Sequence, residues 1–234
     1  MRGASRASYA ELRNKLGAVA VGPATSEQIG DQLFAVVRLL DSEHGLRRAL
    51  AEASKPSAEK VAVVGRLLHG RVSEATEGLV ADAAAAHWAS SGDFADALEQ
   101  LAIEALTMAA QYGGELDDLE DDLFRFGRVV SGQTGLRAAL IGPTPPDAKT
   151  SLLADLLSEK VSGPSLSLIT QLLTHPRGRS PQAALDVAAG IAARRRQQLI
   201  AVVRAATELS VAQRRRLLDT LTAAYGQEIG RAHV

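Results

Sequence analysis

The sequence contains no cysteine, so disulfide bonds, thiolate metal sites and thiol catalysis are excluded. Aromatic residues make up only 3% of the 234 residues. No run of about 18 apolar residues is present, so the sequence predicts no membrane span. An excess of one charge is also lacking, because 26 basic residues stand against 27 acidic ones. This balance argues against a general nucleic-acid or anionic-membrane surface.

The residues that are abundant favour helices. Apolar residues make up 46% of the chain, enough for a buried core, and alanine and leucine dominate them. The stretch SYAELRNKL places Tyr9, Leu12 and Leu16 on one face of a helix. Thr25 and Gln28 have the spacing of a capping box. The fold class that we expect is therefore mainly α.

Further helix signals follow along the chain. Ser73 is placed to cap one helix, and a long helix is expected after Ser90-Ser91-Gly92, to about Tyr112. Ser180-Pro181 is expected to open another. The apolar positions at helical spacing that we expect to face the core are Ile29, Leu33, Val36, Val37, Leu40, Val61, Val64, Leu67 and Leu68.

The chain repeats itself after about ninety residues. FAVVRLLDSEHGLRRAL at 34–50 returns as FRFGRVVSGQTGLRAAL at 124–140, and residues 32–58 and 122–148 share ten identities in 27 positions. Similar sequences with the same apolar spacing are expected to fold alike, and two long copies do not make a solenoid. The sequence thus predicts a duplicated helical bundle, with a first bundle at 1–112 and a repeat-related helical segment at 113–196.

The end of the chain has a different pattern. LIAVVRAAT at 199–207 is short and rich in Ile and Val, which predicts a strand. Ser210 and Gln213 have capping-box spacing before another helix. One strand and one helix give an incomplete βα C-terminal module at 197–228, since a lone strand leaves both edges unpaired. The final IGRAHV at 229–234 matches one reading frame of a common sequencing adapter, so we expect a non-native tail and a natural chain that continues past Glu228.

No catalytic, metal or cofactor site is expected. The five histidines do not pair at helical metal-site spacing. GPTPPDAKTS at 142–151 has a Lys-Thr pair, but its prolines lack the N–H donors of a phosphate loop. DDLEDD at 117–122 is typical of a solvated helix start, where carboxylates favour the helix dipole. The alternative left open is an enzyme that uses the 117–122 carboxylates.

Residues 192–228 carry a family resemblance. The basic end of a helix, Val202-Val203, Leu209 to Gln213, Leu217-Leu218 and Tyr225-Gly226 together resemble the delta subunit of bacterial F-type ATP synthases, the counterpart of the mitochondrial oligomycin-sensitivity-conferring protein. The first helix and HPRGRSPQAALDVAAGI also fit. Two departures are an extra, duplicated helical segment, associated with actinobacterial delta subunits, and the absence of two further strands and a Gly-Gly turn.

The resemblance implies a mechanical role rather than an enzymatic one. A delta subunit is a non-catalytic stator subunit that sits on the catalytic head at the cytoplasmic face of the plasma membrane, grips the N-terminal helices of the alpha subunits and holds the b-subunit stalk. Rotation driven by protons is thereby coupled to ATP synthesis. The implied partners are alpha and b, with no nucleic acid and no cofactor. The alternative is a helical protein-binding adaptor unrelated to ATP synthase.

The family's groove for the alpha helix lies between the first helix and a later helix of the bundle. Carried over, it implies Tyr9, Leu12 and Leu16 on the first helix. The later helix offers Leu79 and Val80 in the first copy, or Leu168 and Ile169 in the second. Each copy is expected to have the capacity to grip a helix. Stalk contacts are expected at Arg214, Arg215 and Arg216.

Overall fold

The computed structural model describes residues 3–196, 210, 212–213, 215–217 and 219–220. The chain forms two compact units, 1–192 and 193–234. The described residues are mainly helical and contain no strand, which confirms the mainly α class. The strand predicted at 199–207 lies outside the described residues. The helices are α1 Ala4–Val19, α2 Pro23–Ser42, α3 His44–Ala51, α4 Ser57–Leu68, α5 Glu74–Ala85, α6 Ser91–Gly113, α7 Leu116–Gly132, α8 Thr134–Ile141, α9 Pro146–Leu157, α10 Gly163–Thr174 and α11 Pro181–Arg196.

Serine caps begin several of these helices, as the sequence predicts. The Ser73 hydroxyl accepts a hydrogen bond from Thr76 N, and the Ser180 hydroxyl accepts one from Ala183 N. In the second unit, Gln213 Oε1 accepts from Ser210 N at 2.9 Å and the Ser210 hydroxyl accepts from Gln213 N at 3.3 Å. The capping box predicted there is confirmed.

Two local predictions are wrong. Thr25 and Gln28 form no capping box, because α2 already begins at Pro23, with Gly22 at its N-cap position, so Thr25 lies inside the helix. Proline at the first helical position supplies a fixed φ and lacks the N–H that would need a cap. Val61 is 38% exposed on α4 rather than in the core, where Val64 and Leu68 lie.

The structure repeats the order of its helices. Five helices, α2 to α6, are followed by five of related lengths, α7 to α11, whose first residues lie 93, 90, 89, 89 and 90 positions later. The long helix α6 precedes α7 as α1 precedes α2. The predicted duplication is therefore present in the helix order, whereas the division at residue 112 stays a prediction.

The repeat extends to individual hydrogen bonds. In the first copy, Gln32 Oε1 of α2 accepts from Ser73 N at 3.0 Å, at the start of α5. In the second copy, Asp122 Oδ2 of α7 accepts from Ser162 N at 3.1 Å, at the start of α10. The two acceptors and the two serines occupy repeat-equivalent positions. Asp122 is consequently buried and does not lie on the solvated helix start expected for 117–122.

The core of the first unit lies around α6. Every residue from Leu101 to Ala110 is buried, as expected for a helix with apolar residues on all sides. Gly30 of α2 packs so close to α6 that a Cβ atom there would lie 2.8 Å from Leu106 Cδ2 and 3.2 Å from the Ala102 carbonyl oxygen. The two helices need this glycine because any larger residue meets both a buried side chain and backbone.

We expect Gly30→Ala to lower the free energy of unfolding by about 1–3 kcal/mol, because the added methyl overpacks this contact. Alanine would otherwise favour the helix by about 1 kcal/mol. Gly17→Ala in α1 is the matched control, since its Cβ would meet no atom within 4 Å. Urea denaturation of both proteins measures the effect. Equal stabilisation by the two substitutions would contradict the close packing of α2 on α6.

Candidate helix-binding groove

A shallow groove lies between α1 and α5. Its α1 side is formed by Lys15, Ala18 and Val19. Its α5 side is formed by Glu74, Ala75, Gly78, Leu79 and Asp82. The small residues keep it open, because a Cβ added at Gly78 would meet no atom within 4 Å.

The groove combines an apolar base with charged edges. Val19 is 37% exposed and gives the α1 side of the groove an apolar surface. Lys15 Nζ lies 2.8 Å from Asp82 Oδ2, so one ion pair links the two helices. With Glu74 included, the residues that line the groove carry one more negative than positive charge. Such a surface suits an amphipathic helix with apolar and basic residues on its binding face.

Polar contacts fix α1 against α6. The Tyr9 hydroxyl donates to Glu104 Oε1 at 2.6 Å, and Arg13 Nε donates to Glu104 Oε2 at 2.8 Å. The Ser5 hydroxyl accepts from Ala89 N at 2.9 Å. Glu104 is only 5% exposed. The α1 wall is thus anchored through one buried carboxylate.

The predicted groove residues lie in and below this region. Leu12, Leu16, Leu79 and Val80 are buried members of the core, and Tyr9 is half-buried with its hydroxyl on Glu104. Of these five, Leu79 lines the open groove. Whether any of them binds a partner stays a prediction.

The small and charged residues that line the groove were not predicted from the sequence. Ala75, Gly78 and Asp82 recur at i, i+3 and i+7 beside Leu79, and this spacing is a signal for a close helix approach. Among the predicted stalk residues, Arg215 and Arg216 are exposed. Arg214 lies outside the described residues.

Two titratable groups near α10 have shifted pKa values. Burial raises the pKa of the Asp31 carboxyl, while the hydrogen bond from Gln171 and the charge of Arg38 act in the opposite direction. Burial also lowers the pKa of His175, at the end of α10, and the charges of Arg38 and Lys149 lower it further. These shifts reflect the partial burial of the Asp31 carboxyl on α2 and of the His175 imidazole after α10.

The described residues thus define the class of protein: a helical body built from two repeats, with a shallow groove between α1 and α5. Comparison with known proteins then gives the family. The family model "ATP synthase delta (OSCP) subunit" matches residues 103–232, which include all of the second repeat and most of the second unit.

Full-length relatives agree with the family model. The "ATP synthase subunit delta" of Thermobifida fusca is 42% identical over 230 residues, covering 98% of this chain and 85% of the relative. Those of Acidothermus cellulolyticus and Streptomyces coelicolor are 39% and 41% identical, over 98% and 97% of this chain and 85% and 84% of theirs. The chain belongs to the ATP synthase delta (OSCP) subunit family.

No helix in the part of the chain that the structure describes combines the length and apolarity that a membrane crossing requires.

Proposed function

We propose that this chain is a non-catalytic subunit of the peripheral stalk of an F-type ATP synthase. In this role it joins the catalytic head to the b-subunit stalk, so that the head is held still while protons drive the rotor. The observation that carries the proposal is the groove between α1 and α5, on a helical body whose walls are fixed by buried polar contacts. Family membership supplies the enzyme to which the subunit belongs.

A stator subunit has to transmit force without chemistry, and the structure offers a physical basis for this. Interiors packed to crystal-like density have low compressibility and transmit strain. Two of the acidic residues at 117–122 have structural partners: Asp121 pairs with Arg125 at 2.9 Å, and Asp122 accepts from Ser162 N. These contacts support a structural role for the segment over the enzymatic alternative.

The partner proposed for the groove is an N-terminal helix of an alpha subunit. An amphipathic helix in an apolar groove buries its anchors at i, i+3, i+4 and i+7. Val19, Leu79 and the space above Gly78 would receive such anchors, and Glu74 would favour a basic residue on the helix. Through this contact the chain would hold the catalytic head in place, at the cytoplasmic face of the membrane.

We expect Val19→Asp to weaken binding of a synthetic alpha N-terminal helix by about tenfold or more, because a buried, unpaired carboxylate is costly. The fold should remain, since Val19 is partly exposed. Calorimetric titration of the full chain measures the affinity. Val129→Asp, on a 46% exposed valine of α7, is the matched control and should bind like the parent protein. A folded parent chain that binds no alpha helix would contradict the proposal for the groove.

The second proposed contact is with the b subunit, through the basic residues of the second unit. Arg215 and Arg216 are exposed at helical positions. Replacing both with glutamate is expected to weaken b binding, and to weaken it less at high salt, because exposed charge pairs are screened. Binding assays from low to high ionic strength test this. Unchanged affinity and unchanged salt dependence would remove these arginines from the contact.

A further inference from the structure

We infer that the second repeat carries a further docking surface for a helix, formed by α7 and α11 around Phe124, and that the helix bound there presents a glutamine or asparagine to Asp121 and Arg128. This α7/α11 surface is distinct from the groove between α1 and α5. The inference depends on a comparison of the two repeats and not on the proposed function.

The two repeats share a three-residue pattern on one helix face. Asp-x-x-Phe-x-x-x-Arg occurs at 31–38 in α2 and again, ninety positions later, at 121–128 in α7. The spacing of three and then four residues places the three side chains of each set on the same side of the helix. Because the pattern is identical in both copies, the two faces are suited to the same kind of contact.

In the first repeat, all three side chains have partners within the chain. Phe34 is only 4% exposed and belongs to the core. Gln171 of α10 joins the two charged residues, since its Oε1 accepts from Arg38 Nη1 at 2.7 Å and its Nε2 donates to Asp31 Oδ1 at 3.4 Å. One carboxamide can serve both residues because it is a donor and an acceptor at once.

In the second repeat, the same three side chains are open to solvent. Phe124 is 62% exposed. In the part of the chain that the structure describes, Arg128 makes no hydrogen bond or ion pair, and Asp121 pairs with Arg125 alone. Exposed pairs of this kind contribute little, so Asp121 can exchange Arg125 for another partner at small cost. No described side chain takes the place that Gln171 has in the first repeat.

A pocket between α7 and α11 gives this surface its shape. Its volume is about 260 Å³, with Phe124 and Arg128 on the α7 side and Gln182, Asp186 and Ala189 on the α11 side. Gln182 Nε2 donates to Asp186 Oδ1 at 2.7 Å, which gives the α11 side a polar edge. An apolar side chain of a bound helix would enter beside Phe124, and its polar neighbours would meet the charged edge.

Exposure alone does not distinguish the surface, because another apolar residue of α7 is also exposed. Val129 is exposed, and so is its repeat equivalent in α2, Leu39. This position therefore lacks cover in both copies. Phe124 differs, since its equivalent Phe34 is buried. The missing partner of the second repeat is consequently expected to cover Phe124 and to leave Val129 in solvent.

The hydrogen bonds of the first repeat indicate the chemistry of this partner. A carboxamide would accept from Arg128 and donate to Asp121. A carboxylate in its place would be repelled by Asp121, and a lysine or arginine would be repelled by Arg128. The partner is thus an amphipathic helix with glutamine or asparagine among apolar residues, as α10 carries Gln171 between Leu168 and Leu172.

The probe for the test is a synthetic peptide with the α10 sequence of residues 163–175. Because so short a helix is marginal in water, a side-chain staple replaces Ile169 and Leu173, which lie on the face opposite Gln171. Calorimetric titration of the full chain measures its affinity. We expect saturable binding, and about tenfold weaker binding of the matched peptide with Gln171→Leu, because Asp121 and Arg128 then lose their shared partner.

Three variants of the full chain locate the binding. Phe124→Asp and Arg128→Ala should each weaken binding of the parent peptide by about tenfold or more, since the first places a carboxylate in the contact and the second removes a donor. Val129→Asp is the matched control and should bind like the parent chain. All three side chains are exposed, so the fold should be kept, which circular dichroism checks.

Binding that requires Phe124, Arg128 and the carboxamide, but not Val129, would support the inference. Equal affinity of the two peptides, full affinity of the Phe124→Asp chain, or no binding by the folded parent chain would overturn it. Self-association of the parent chain in sedimentation, abolished by Phe124→Asp, would also overturn it, because the surface would then belong to a second copy.

Discussion

Arg177→Ala is expected to lower the free energy of unfolding by about 3 kcal/mol or more, because removing one partner of a buried ion cluster leaves the others uncompensated. Although burial opposes the charge on Arg177, the neighbouring carboxylates, Glu99 first among them, raise its pKa above the ordinary value. Glu99 is only 3% exposed. It would keep Arg179 as its remaining basic partner.

The cluster matters because it joins the loop after α10, in the second repeat, to α2 and α6 of the first. Arg177 adopts φ of 50°, a left-handed conformation that is uncommon for a residue with a side chain, so its ion pairs must hold it there. Chemical denaturation measures the loss of stability. Arg177→Lys keeps the charge but not the forked geometry, and an intermediate loss is expected. Asp96→Asn, on a half-exposed carboxylate, should cost less than about 1 kcal/mol.

Equal, small effects of Arg177→Ala and Asp96→Asn would show that the Arg177 cluster does not hold the repeats together.

Glu104→Ala is expected to be the second most damaging change, at about 3 kcal/mol, since Glu104 accepts charge-assisted hydrogen bonds from both Tyr9 and Arg13. The expected result is local as well as global. Amide hydrogen exchange should accelerate along α1, whereas α9 and α10 should keep their protection.

Because α1 is one wall of the groove, Glu104→Ala should also lower the affinity for the alpha N-terminal helix, as measured by calorimetric titration. Tyr9→Phe is the matched control, since it removes one donor of this set and should cost about 1 kcal/mol. Uniform loss of protection across the first unit, with no preference for α1, would be inconsistent with Glu104 as its local anchor.

Much of the helical architecture was predictable from local patterns. The stripe Ile29, Leu33, Val36, Val37 and Leu40 is buried as its 3.6-residue spacing predicts. The serine caps at Ser73 and Ser180 were visible because capping depends on near neighbours in sequence. The similarity between segments ninety residues apart predicted the repeated order of helices, because the same spacing of apolar residues produces the same helices.

The packing between repeats was not predictable in this way. Gln171 lies more than 130 residues from both Asp31 and Arg38, and nothing in their local patterns shows that they meet. Val61 carries an apolar side chain at a helical spacing, but its exposure depends on which neighbours cover α4. From the sequence, the groove was predicted to be lined by large apolar residues, but most of these are buried in the core. The open space is lined by Gly78 and two alanines. These residues were not predicted, because the prediction considered large hydrophobic side chains only.

The central claim, that this chain couples the head to the stalk, is tested most directly by removal and return of the protein. Membrane vesicles carrying the enzyme are stripped of this chain, and ATP hydrolysis and ATP-driven proton pumping are measured together before and after purified chain is added back. The account predicts that stripping abolishes pumping while hydrolysis continues, and that the parent chain, but not Val19→Asp, restores pumping. Pumping that survives removal, or that the parent chain fails to restore, would contradict it.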